Sequence, residues 1–176
     1  MNAVPEGVPL IGPSTASYPA ARSLPRIGFR TTLLFLVLSL PAVAFAALGG
    51  DESSVQADQA QMRASLRTTR AAAFTVHELQ APTGHVVREY LSPSGTVFGV
   101  AWRGPSKPDL RQLLGAHFEE FMEAVQAAQA TGRGDGPLVV NLPGMVVVSG
   151  GHMRAFSGRA YLPQSLPEGV NADAIQ

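Results

Sequence analysis

Two short segments of one design constrain this chain more than any other feature. Ala81-Pro82-Thr83-Gly84 and Ser92-Pro93-Ser94-Gly95 each stand between runs rich in β-branched and aromatic residues. Proline presets the second position of a type I turn, and glycine two places later accepts the left-handed conformation of a following bulge. Two such turns in succession predict a three-stranded meander with strands at 73–80, 85–91 and 96–103. The third run alternates Phe98, Val100 and Trp102 against Val97, Gly99 and Ala101. Both of its faces are apolar, so it reads as a central strand covered on both sides. The other two runs carry His77, Glu78, Arg88 and Glu89, which predicts a partly solvated face.

The rest of the chain supplies helices and further strands. Residues 51–70 lack glycine and proline, and Val55, Met62 and Leu66 are spaced by seven and four. This predicts a modest amphipathic helix over 54–66, capped by Ser53 or Ser54. Pro108 and Asp109 then open a clearer one. Leu110, Leu113, Leu114, His117, Phe118, Phe121, Met122 and Val125 follow helical spacing, with Arg111, Glu119, Glu120 and Glu123 opposite, to about Ala130. After a glycine-rich loop, 138–142 and 145–149 read as strands. Gly150-Gly151 reads as a two-residue hairpin turn, and 152–162 as its partner strand. From Pro163 the tail reads as loose. The fold class is α+β. An antiparallel sheet of five or six strands, the meander plus a C-terminal hairpin, is packed by one long amphipathic helix and a shorter N-terminal one.

The leader predicts export. Arg22, Arg26 and Arg30 precede an apolar stretch from Thr31 to Val43, which ends in Ala44-Phe45-Ala46. Positive region, apolar core and small-x-small exit are the order a signal peptide requires. The organisation is therefore a disordered leader at 1–21, a signal peptide at 22–46, and a single mature domain at 47–176. Cleavage near Ala46-Ala47 places the mature domain in the periplasm or medium. The alternative is an inner-membrane anchor formed by residues 31–48, near the lower length limit for a span. Lipidation at a cysteine is excluded, because the chain has none. Cleavage would remove three arginines and Glu6, leaving ten basic and twelve acidic residues. A nearly neutral surface offers no counterion-release drive towards nucleic acid and no basic membrane patch. Any contact with membrane is then through an uncleaved signal.

No residue pattern carries a catalytic or metal signature. His77, His85, His117 and His152 lack the spacing of a helical metal site, and His117 on the apolar stripe reads as a core histidine. Neither Ser94 nor Ser149 sits in a nucleophile elbow. Glu119, Glu120 and Glu123 read as a solvated helix face. Arg133-Gly134-Asp135 lies in a glycine-rich turn that lacks the lysine and hydroxyl of a phosphate loop. No cofactor is predicted. One cluster resists a bland reading. Trp102, Arg103, Arg111, His152, Arg154, Phe156, Arg159 and Tyr161 fall in two dense aromatic, arginine and glycine stretches, the composition that interface centres favour.

Several separated blocks resemble a known family. They are Val87-Arg88-Glu89-Tyr90, the run from Gly95 to Pro105, Pro108-Asp109-Leu110, Leu113-Leu114-Gly115, and the run from Gly151 to Tyr161. In this order they resemble the domain of unknown function family 2844, over essentially the whole mature chain. The resemblance implies an exported bacterial protein with no assigned activity and no catalytic residues to carry over. The reading is an exported, non-catalytic binding or accessory module of the bacterial envelope, its partner another envelope or secreted protein. Two alternatives stand beside it. One is a small hydrolase using His152 with Ser149 or an acid. The other is a small-molecule carrier with a pocket between helix and sheet.

Overall fold

The computed structural model describes residues 48–130 and 136–176. The segments read as leader and signal peptide, and Arg133-Gly134-Asp135, lie outside the described residues. The elements run α1 (Glu52–Met62), β1 (Ser65–Arg70), β2 (Thr75–Gln80), β3 (Val86–Leu91), β4 (Val97–Gly104), α2 (Leu110–Leu114), α3 (Phe118–Ala130), β5 (Leu138–Asn141), β6 (Val146–His152) and β7 (Ala155–Tyr161). All seven strands form one antiparallel sheet in the order β1-β2-β3-β4-β7-β6-β5. Two meanders thus meet at a β4–β7 seam. The α+β class is as expected, and the sheet has seven strands rather than five or six.

The additional strand is β1, which the sequence reading absorbed into the first helix. Helix α1 stops at Met62 because Arg63 turns left-handed (φ 50°), and the amides of Arg63 and Ala64 close onto Ala60 and Gln59. Left-handed caps belong mostly to glycine, so an arginine there hides the stop. All six residues of β1 are exposed. It is held by its ladder to β2 rather than by burial, and its two threonines suit that role. The helix cap is Asp51, whose carboxylate accepts from the amides of Ser53 (2.9 Å) and Ser54 (3.2 Å), rather than either serine.

Both meander turns are as expected. Gly84 (φ +86°) and Gly95 (φ +83°) hold the left-handed position, and their amides close onto Ala81 and Ser92. The C-terminal hairpin turns later than the sequence suggested. Its two-residue turn is Met153-Arg154, with Arg154 at φ 67°, and Gly150-Gly151 lies inside β6. Gly151 is required for another reason. A Cβ there would collide with the main chain of Ala155 and Phe156. The long helix is also divided, because Gly115 (φ +51°) ends α2 and a 3-10 turn, Gly115–His117, leads into α3.

The helices cover one face of the sheet. Val55, Leu79, Val87, Val100, Trp102, Leu113, Leu114, Phe121 and Val147 pack together there. A smaller cluster, Tyr90, Phe98, Ala101 and Ile175, lies on the other face. A bulge in β4 divides them. Tyr90 pairs with Gly99 and Leu91 with Val97, so Phe98 is the extra residue and turns away from Val97. This corrects the simple alternation expected of that strand. The tail from Pro163 is not loose. It packs back across the second face, and Ile175 is fully buried.

Candidate functional site

The face without helices is a ruled surface, because antiparallel register sets directly opposed residues on one side. One row crosses the sheet as Arg67, Glu78, Arg88, Ala101, Arg159, Val148 and Val139. The next runs Ser65, Gln80, Val86, Arg103, Ser157 and Gly150. Small residues in the middle of these rows, Ala101, Ser157 and Gly150, leave a hollow between larger neighbours. It is an open groove of about 700 Å³ with Val86, Val148, Pro137 and Ile175 as apolar walls and Arg88, Arg103 and Arg159 as cations. A second groove of about 390 Å³, towards β1, shares Arg88 and Gln176 with it and adds Arg67, Glu78 and Tyr90. Together they form a trough across the open face.

The tail enters this trough and binds its arginines. Arg159 donates to the carbonyls of Ala172 (3.0 Å) and Ile175 (3.3 Å) and reaches the Asp173 carboxylate at 3.4 Å. Arg88 donates to Glu78 (2.7 Å) and to the carbonyl of Gln176 (2.8 Å). The Tyr90 hydroxyl donates to the same carbonyl (2.8 Å) and accepts from the Gln176 amide (3.0 Å). The Ile175 side chain fills a hole that exists because residue 99 is glycine. A Cβ there would stand 2.7 Å from Ile175 Cδ1. Among the described residues, Arg67 and Arg103 have no ion-pair partner.

Beneath the helices lies a polar cluster of the opposite kind. Asp58 of α1 and Glu89 of β3 are 1 % and 2 % exposed, and Gln112 of α2 is also buried. Burial, and then the charge of Asp58, push the Glu89 carboxyl up to about 9. Burial likewise raises Asp58 to about 6, against hydrogen bonds from Gln112 and Glu89 that hold it down. Counted as two carboxylates, Asp58 Oδ2 and Glu89 Oε2 each lack a donor. A proton on Glu89, donated to Asp58, supplies the missing hydrogen bond. Gln112 Nε2 donates to Asp58 Oδ1. His77, opposite Glu89 in the register, is buried too and lowered by that burial, with Thr68 Oγ1 3.0 Å from its Nδ1. The pair ties both shorter helices to the sheet from inside the core.

A family model described as a protein of unknown function, DUF2844, matches residues 44–175. The chain belongs to the DUF2844 family. No curated protein and no solved structure matches it.

In this DUF2844 domain the eight residues read as an interface are distributed rather than assembled. Arg103 and Arg159 line the trough, Trp102 borders it, and Tyr161 packs against the second cluster. Trp102 is buried on the helix side, its ring where a side chain on Gly158 would be, and register places Phe156 on that side as well. Arg111 is engaged on the helix layer, 2.8 Å from Glu119 and 4.4 Å above the Phe118 ring. His152 and Arg154 are exposed at the tip of the last hairpin. Ser149 and His152 alternate onto opposite sides of β6, so this pair is not brought together as a hydrolase requires. Both grooves described here lie on the open face rather than between helix and sheet. His117 is half-buried beside Gly49. No metal-binding group of acids and histidines occurs among the described residues. Arg67, Glu78, Arg88 and Tyr90 were not singled out as site residues. Their shared face becomes visible only with the registers of β1, β2 and β3.

Proposed function

We propose that this DUF2844 protein is an exported, non-catalytic binding or accessory module of the bacterial envelope, and that it engages its partner through the open face of the sheet. One observation carries the reading. An apolar-walled trough of about 700 Å³ presents the guanidinium of Arg103 without an ion-pair partner among the described residues, on the face the helices leave uncovered. Arginine beside apolar surface is the composition of interface centres. Catalysis is less well supported, since the carboxyl pair is enclosed and Ser149 and His152 diverge. The signal-like leader supports export with cleavage near Ala46-Ala47, and among the described residues no helix is long and apolar enough to cross a membrane.

The test is photo-crosslinking in cells, with the reactive side chain at Ser157 in the trough or at Glu123 on α3. A mature species starting at Ala47 that crosslinks from position 157 and not from 123 is the expected result. Crosslinks from 123 alone would move the interface to the helix face. A full-length species in the membrane fraction would make the domain a tethered one.

A further inference from the structure

We infer that the trough takes an acidic polypeptide, a conclusion that rests on the binding-module reading above and names its partner class. The first argument is charge. Without residues 1–46 the chain carries ten lysines and arginines against twelve aspartates and glutamates. The two grooves reverse that balance, with Arg67, Arg88, Arg103 and Arg159 against Glu78 alone. Cations concentrated in a concave, partly apolar surface raise the local concentration of an anionic partner and orient its approach.

The second argument separates a polypeptide from other anions. The chain's own residues 171–176 already show how the face receives a peptide. Main-chain carbonyls of Ala172, Ile175 and Gln176 accept from Arg159 and Arg88, and the Gln176 main chain both donates to and accepts from the Tyr90 hydroxyl. An aliphatic side chain, Ile175, fills the hole over Gly99, and an acidic one, Asp173, meets Arg159. Carbonyls, an aliphatic side chain and a carboxylate are together the chemistry of an acidic peptide. Val86 and Val148 also line the groove, and Arg103 beside them has no ion-pair partner among the described residues. The self-segment fills one part of the trough, and the rest offers the same apolar-plus-guanidinium pattern.

Fluorescence anisotropy tests this with the full chain and a labelled glutamate-rich peptide carrying an isoleucine at every fourth position. The expected result is saturable binding that high salt weakens. Arg103→Glu should weaken it at least about tenfold, a little over one kcal/mol, with an unchanged melting temperature. Arg67→Glu, at an exposed edge strand, gives a second charge reversal should the first variant fold poorly. Polygalacturonate and phosphatidylglycerol vesicles are titrated in parallel. Binding of either through Arg103, with none of the peptide, overturns the polypeptide class and leaves the binding module standing. No binding of any probe, with a partner still crosslinked at position 157 in cells, does the same. No binding and no crosslink overturns both.

Discussion

The two faces of this sheet solve opposite electrostatic problems. Under the helices, Asp58 and Glu89 meet in the dry core, where two negative charges are untenable, and a retained proton makes them a hydrogen-bonded pair. Across the open face lie four arginines, two of them held by the tail and two without an ion-pair partner among the described residues. Buried polar groups that satisfy one another tie elements together, whereas exposed cations contribute little to stability and much to recognition. The comparison teaches that charge content alone does not tell a site from a support. Glu89 and Arg88 are sequence neighbours with opposite fates because strand neighbours point to opposite faces.

The comparison is sharpest where a substitution acts on one face alone. Phe98→Ala empties the small core beneath the tail. It should cost about 3–5 kcal/mol in urea denaturation, so the open face would prove to be anchored as firmly as the covered one. A loss well below that would mean that the tail merely rests on the sheet. Next in size is the response to pH. Glu89 binds its proton more tightly in the folded state than unfolded, so its stabilisation is full at acidic pH. It should fall between about pH 4.5 and 9, because the native state binds more protons across that window. The unfolding free energy from urea denaturation should decline over the range by more than about 1.4 kcal/mol, the equivalent of one pKa unit. Glu89→Gln should flatten the decline, and a wild-type curve already flat would sink the shared proton.

Smaller effects belong to the arginines. Arg159→Met removes the donor to Ala172 and Ile175, and should cost about 1–2 kcal/mol. Amide exchange should quicken in residues 171–176 while the helices stay protected. Loss of protection in α1 instead would show that the faces are coupled. Smallest of all, Arg103→Glu should leave stability within about 0.5 kcal/mol while weakening peptide binding at least about tenfold. A large destabilisation would place Arg103 among the supports.

How much of this was legible depended on whether the deciding signal was local. The meander turns were readable because proline and glycine state their backbone angles directly. Strand β1 was not, because Arg63 takes a glycine's conformation and Leu66 happens to fall four residues after Met62. Gly150-Gly151 looked like a turn, yet one of the two is glycine for close approach of Ala155 and Phe156, which only the folded hairpin reveals. The fate of Glu89 was likewise hidden. A charge on a strand next to an arginine reads as solvated until α1 supplies Asp58 from thirty-one positions upstream. Of the trough, Trp102, Arg103 and Arg159 were found by composition. Arg67 and Arg88 needed the register.

The seam between β4 and β7 also has a kinetic consequence. Every other pairing in the sheet joins strands consecutive in the chain, and such contacts form quickly. Strands β4 and β7 alone bring together residues 52 to 62 positions apart. The expected slow step in folding is then the pairing of the two halves along Gly99–Gly104 and Phe156–Tyr161. Substitutions at Ala160 should slow folding, whereas those in the outer hairpins should mainly hasten unfolding.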